Sequence, residues 1–279
     1  MSVRIVTDSS ADLPADEVAR LGVEVVPLSI RFGDEEYTDG VDLSVAQFYE
    51  KLASASTLPE TAAPAPGAFE AAFRRQQEAG ADAVVCINLS SGLSATLQSA
   101  QNAATAVAGD LDVRVVDSRS ITSGLGTHVT VAAEAAADGA SADDIVALVE
   151  SLVSRTHVFG ALDTLDNLKK GGRIGGAQAL VGSLLSIKPL LDISSGEVEE
   201  AGKARTRRKA LEWLRDRVFA QPAVEHLCVA HGMAPDLDDM LALLAPRYSA
   251  DQIRITTIGA TIGTHGGPRV MGLTWVDPS

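Results

Sequence analysis

Two α/β units, the first built on a mainly parallel sheet, are the fold the sequence predicts, and three observations carry it. The chain has 279 residues, 46% of them hydrophobic, enough for two buried cores of ordinary size. In its first half, short β-branched runs alternate with longer stretches of helical periodicity, the mark of βαβ units. Past Arg155 a second set of apolar runs begins without a Pro/Ser-rich linker. The expected division is therefore residues 1–155 and 156–279, packed tightly with a cleft between them.

The elements follow in order. VRIVT from Val3 is a β-branched strand that ends in the turn formers Thr7-Asp8-Ser9-Ser10. VEVVPLSI from Val23, DAVVCINL from Asp82 and VRVVDS from Val113 are the next strands. Helices are expected at Val45 to Ala53, Gly67 to Glu78, Ser94 to Ala106, the alanine-rich Gly126 to Ala137, and Ala142 to Ser154. The second half offers strands in HVFGALD from His157, SIKPLLDI from Ser186, HLCVAHG from His226, QIRITTI from Gln252 and VMGLTWV from Val270. Its helices are expected at Thr206 to Phe219 and Leu237 to Leu244.

Composition removes several function classes. A formal net charge of -14 repels polyanions, which disfavours nucleic acid and anionic membrane surfaces. No uninterrupted apolar run reaches spanning length, and Met1 to Pro14 meets polar residues too early for a signal peptide. A soluble, cytoplasmic protein is expected. Cys86 and Cys228 sit inside apolar runs and read as buried packing residues, with a disulfide disfavoured in that compartment. His226 and His231 flank Cys228 but lack metal-ligand spacing, so neither metal nor cofactor is expected.

In open parallel sheets, ligands sit beyond the carboxyl ends of the strands. Those ends are rich in hydroxyls and carboxylates: Thr7 to Ser10, Ser90 to Ser94, and Asp117 to Ser120. Helix caps and turns explain any one of these serines. Gly92-Leu93-Ser94 resembles the start of a nucleophile elbow, but Thr96 replaces the closing glycine and its Cβ obstructs the tight turn. A serine esterase using Ser94 and His265, with Asp163 or Asp166, is one alternative. Holding an anion at the start of a helix suits Ser94 better.

Thr61 lies in a proline-punctuated loop and is by itself an ordinary turn residue. LKKGGRIGG, from Leu168 to Gly176, sets Arg173 among four glycines, where backbone approaches a ligand closely. From Lys169 to Lys209 nine cations reverse the sign of an acidic chain, and Arg173 and Arg205 are the two best placed to meet an anion. GTHGGPR sets His265 in a glycine-rich loop after a strand. A small-anion or nucleotide binder built on Arg173 and its glycines is the other alternative.

Taken together, IVTDSSADLP, VVPLSIRFG, YTDGVDL, Thr61, LSSGLSAT, Asp117-Ser118, KKGGRI, IKPLL, Lys203-Ala204-Arg205 and THGGP resemble the DegV family, bacterial fatty-acid-binding proteins that present an acyl chain to a partner kinase. The matches run nearly end to end. The resemblance implies two α/β domains clasping an acyl chain in an apolar tunnel, with Thr61 and Ser94 hydrogen-bonding its carboxylate. It further implies that Arg173, Arg205 and His265 serve acyl phosphate formation or docking to a fatty acid kinase subunit, the protein itself being a carrier and not an enzyme. Three motifs depart from the family pattern. Thr-Ser-Gln is Thr61-Ala62-Ala63 here, Ser-Gly-Thr-Tyr is Ser94-Ala95-Thr96-Leu97, and the glycine after GP is Arg269, which sets a bulky cation beside His265. A lipid ligand is also energetically sufficient: some fifteen methylenes at about 0.8 kcal/mol each give on the order of 12 kcal/mol before ordering costs.

Overall fold

The computed structural model describes residues 2–180 and 187–279. Its first half runs β1 (Val3–Asp8), α1 (Ala15–Leu21), β2 (Glu24–Val26), β3 (Ser29–Phe32), β4 (Glu35–Thr38), α2 (Val45–Ser54), β5 (Glu60–Ala62), α3 (Pro66–Glu78), β6 (Ala83–Asn88), α4 (Thr96–Val107), β7 (Asp112–Asp117), α5 (Thr122–Ala137) and α6 (Ala142–Val153). β2, β1, β6 and β7 pair in that order into an all-parallel sheet. Every residue of β6 is buried, because helices cover both faces, and so its sequence is an unbroken apolar run. Val85 and Ile87 face Leu125, Val129 and Ile145, whereas Val84 and Cys86 face Phe69, Phe73 and Ala100.

The second half runs β8 (Thr156–Ala161), α7 (Asp166–Lys170), β9 (Lys188–Asp192), β10 (Glu199–Ala204), α8 (Arg207–Phe219), β11 (Glu225–His231), α9 (Leu237–Leu244), β12 (Arg254–Thr257), α10 (Ala260–Gly266) and β13 (Met271–Val276). Its sheet has the order β10-β9-β8-β13-β11-β12 and is mixed, since only β11 and β12 pair in parallel. Phe159, Leu273 and Trp275 pack on Leu211 and Leu214 of α8 and Met240 of α9. The opposite face carries Val158, Leu191 and Ala230. Helix α5 touches strands of both sheets. Its residues from Thr122 to Val129 are buried without interruption, as a helix enclosed on all sides requires.

Three expectations need correction. VEVVPLSI is two strands in two sheets: Pro27 has no N–H to give a ladder, and the chain leaves the parallel sheet there to enter an antiparallel one of order β4-β3-β5. Thr61 belongs to no loop, since β5 pairs it with Ile30 at the edge of that small sheet. His265 is helical, on α10. The glycines that suggested a loop serve packing: a Cβ on Gly263 would lie 2.6 Å from the Tyr49 hydroxyl and 2.8 Å from Phe48 of α2. The strand expected from Ser186 begins at Lys188, and Ser186 itself lies outside the described residues, as does Met1.

Candidate ligand-binding site

The loop after β6 is fixed from below by Asp8, the last residue of β1. Its carboxylate is fully buried and accepts from Ser10 N at 3.1 Å, Asn88 Nδ2 at 3.1 Å and Leu89 N at 2.9 Å. Burial pushes its pKa above the usual carboxylate range, and these donors oppose that rise. The chain then turns through Ser90, whose Oγ donates to the Gly196 carbonyl in the β9–β10 hairpin, and reaches Ser94. Helix α4 starts at Thr96, two residues later than the serine pattern suggests. The Ser94 hydroxyl accepts from Thr96 N at 3.3 Å and lies 2.9 Å from Thr96 Oγ1.

Thr61, on β5, brings its Oγ1 to 3.1 Å from Nε2 of His265. One turn earlier on α10, Thr261 donates to Asp39 at 2.7 Å, and Ser9 donates to the same oxygen at 2.9 Å. The helix is thus tied to β1 and to the small sheet together. Arg173 closes the group. Its Nε donates to the Leu93 carbonyl beside Ser94 at 3.3 Å, and Nη1 donates to Gly171 O at 2.8 Å. Gly171 has no room for a side chain, because a Cβ would strike the His265 ring. Burial, with the Arg173 charge as a smaller contribution, lowers the His265 pKa to about 4. The imidazole is therefore neutral at pH 7, with Nδ1 buried and unpaired.

Thr61, Ser94, Arg173 and His265 line one cavity, and Arg205 does not: it is exposed just beyond β10. The cavity is open to solvent, and the unfilled space of about 1070 Å³ at the site includes that opening. Away from the four polar residues its walls are chiefly aliphatic: Leu28 and Leu89 from the first half, Leu191 and Ile193 from β9 and its end, Ile258 and Ile262 around α10. The chemistry is that of a slot for a long apolar body with one polar end.

A hydrolytic triad is not assembled. The His265 ring meets Thr61 and no carboxylate, and Asp163 is engaged by Lys188 at 2.9 Å and Arg269 at 3.5 Å. Asp166 is exposed. Arg269 thus turns its charge to Asp163, and at φ 63° it occupies a left-handed conformation that a glycine adopts without strain. Cys86 and Cys228 are free and buried, with thiol pKa values raised by burial, Cys228 to about 11. Among the described residues no group of metal-ligating side chains comes together, and no helix is long and apolar enough to cross a membrane. Sequence reasoning missed Asp39 and Thr261, whose partnership joins residues 222 positions apart, and the wall residues of β8, β9 and β13, which carried only a strand pattern.

The low pKa of His265 is testable directly. Its ring resonances should titrate in the ligand-free protein near pH 4 and stay flat between pH 6 and 8. Because the unfolded chain takes up this proton first, near the ordinary value of about 6.5, His265 withdraws stability as pH falls from there toward 4. A midpoint at 6 or above in a two-dimensional NMR titration would show that the ring is not desolvated.

The model of the family described as "Uncharacterised protein, DegV family" matches residues 2–277. A DegV domain-containing protein of Listeria monocytogenes is 36% identical over 279 residues, covering 98% of each chain. One of Streptomyces coelicolor is 38% identical over 279 residues, covering 97% of each. Among solved structures, a DegV family protein from Thermus thermophilus studied for fatty acid binding superposes with a TM-score of 0.91 at 33% identity over the whole of both chains. DegV of Bacillus subtilis, called a fatty acid binding protein, gives 0.86 at 29% identity, again over both chains in full.

Proposed function

The chain belongs to the DegV family, and from that premise we propose that it binds a long-chain fatty acid in the cavity and presents the carboxylate to a fatty acid kinase subunit for acyl phosphate formation. One observation carries the reading: a largely aliphatic cavity has the hydroxyls of Thr61 and Ser94 at its wall. An ionised carboxylate leaves water only where donors replace its hydration, and two hydroxyls beside a guanidinium supply them. The fatty acid binding of the Thermus and Bacillus proteins supports the ligand class. In this reading residues 1–155 and 156–279 are two domains that clasp the chain. Thr61 and Ser94 hold the carboxylate, and Arg173, Arg205 and His265 serve phosphoryl transfer or kinase docking. Arg205, exposed and outside the cavity, suits docking. The planar guanidinium of Arg173 suits the spreading charge of a transferring phosphoryl group.

The test is extraction of the purified protein under denaturing conditions followed by mass spectrometry. Stoichiometric free fatty acid is the expected result. A protein that carries none, and that takes up none when incubated with oleate or palmitate, is not a fatty acid carrier.

A further inference from the structure

We infer that Gly160 and Gly272 set the acyl-chain length the cavity accepts; the inference rests on the fatty-acid reading above. The two residues face each other across the β8–β13 ladder, Gly272 opposite Gly160, at the middle of a six-stranded sheet. Glycine is a poor residue there: it adds backbone entropy to the unfolded state and gives the sheet nothing to pack. The usual reasons for tolerating it are missing. Neither residue has a positive φ, so the backbone does not demand it.

Nor does the protein's own packing. A Cβ built on Gly160 would meet only the tips of Leu162 and Ile193, at 3.6 and 4.0 Å, and one on Gly272 would have no neighbour closer than 3.5 Å. Both are ordinary van der Waals separations. The space in front of the pair is cavity, since both glycines line it. What a side chain at either position would displace is therefore the occupant of the cavity.

The strand direction says which part of the occupant. Val270, just before β13, packs against Gly266, next to His265 at the polar end. Thr274, farther along, is bonded to Ser123 of α5 at 2.9 Å. Gly272 lies between them, about 7 Å along the strand from Val270 at roughly 3.3 Å per residue. Alternation turns Gly272 and Thr274 to the cavity and Met271, Leu273 and Trp275 to the opposite core. The methylenes beyond the carboxylate thus cross bare backbone at the Gly160–Gly272 pair before reaching Thr274. A β-branched side chain there closes the far part of the slot and leaves the near part open.

The experiment compares hexanoate, which ends before the glycine pair, and stearate binding to the wild type, Gly160→Ala and Gly160→Val, with thermal melting as the fold control. Overpacking of a fitted site costs roughly 1–3 kcal/mol, about 5- to 150-fold in affinity. Stearate should accordingly weaken by about fivefold or more in Gly160→Val and by less in Gly160→Ala, while hexanoate changes by less than about threefold. Gly272→Val supplies the same comparison from the facing strand should Gly160→Val not fold. Equal stearate affinity in the wild type and the folded variants overturns the inference, as does an equal loss for both acids. A wild type that binds neither acid overturns the fatty-acid reading instead.

Discussion

Replacement of Thr61 and Ser94 together by alanine is expected to weaken fatty acid binding by roughly 3–6 kcal/mol, two to four orders of magnitude, with little change in stability. Each hydroxyl is placed to donate to a charged group, an interaction worth about 1.5–3 kcal/mol. Nothing else at that end replaces both. His265 is neutral, with its pKa near 4, and Arg173, whose Nε and Nη1 donate to the carbonyls of Leu93 and Gly171, has its remaining N–H groups for the carboxylate but no hydroxyl to replace the two removed. Thr61 is partly exposed, and among the described residues its Oγ1 is bonded to His265 alone and the Ser94 hydroxyl to Thr96 alone, so the fold loses little. Calorimetric titration with oleate checks the loss, and Thr61→Ser with Ser94→Thr should restore most of the affinity. Methyl oleate should bind the wild type as poorly as the free acid binds the double variant. Wild-type affinity in that variant would place the carboxylate elsewhere.

The second large effect lies below the site. Asp8→Ala is expected to cost about 3–5 kcal/mol of unfolding free energy, because it strands the buried donors of Ser10, Asn88 and Leu89 without their acceptor. Leu89 opens the segment that carries Ser94, so the loss should reach the ligand: in urea titrations with and without oleate, the variant should show both a lower midpoint and a smaller ligand-induced rise. Asp8→Asn separates the causes, since it keeps the volume and one acceptor and should recover part of the stability. The pH dependence has a definite sign. A carboxyl pKa raised by burial means that the folded state takes up its proton first on acidification, so Asp8 adds stability as pH falls from its folded pKa toward its ordinary value. Wild-type stability in Asp8→Ala would mean that Leu89 and Asn88 find other acceptors.

Most of the parallel sheet was legible because β1, β6 and β7 are β-branched runs with turn formers after them; β1 and β6 are buried on both faces and show no alternation, while the edge strand β7 alternates exposed and half-buried residues. α9 could be read to the residue, from Leu237 to Leu244, since its apolar stripe faces one core. What could not be read has a common cause in long-range contact. β5 is three residues long and exists because β3 pairs with it, a partnership thirty residues away that no local pattern encodes. α10 contains Gly263 and Gly266, which local propensity counts against a helix, and only the Tyr49 and Phe48 rings explain Gly263. Ser94, Arg173 and His265 could be picked out singly by residue type and neighbouring glycines. That these three meet Thr61 is encoded in no local pattern and was implied only by the family resemblance, because β5, the loop after β6, the turn after α7 and α10 bring the four from separate places.

The aliphatic walls of the cavity are also core. Val158, Leu162, Leu191, Ile193, Ile258 and Val270 belong at once to the cavity lining and to one packed cluster of buried side chains. A bound acyl chain is then a detachable part of the protein's interior, doing between the two sheets what a missing row of leucines would do. Folding and loading draw on the same contacts, so the occupied form is the more stable by RT ln(1 + [L]/Kd), about 2.7 kcal/mol at a hundredfold excess of free ligand over Kd. On the proposed function, removal of the lipid would leave a protein with a hollow where its middle was, and the protein's resistance to heat and to proteases would gauge how much fatty acid the surroundings supply.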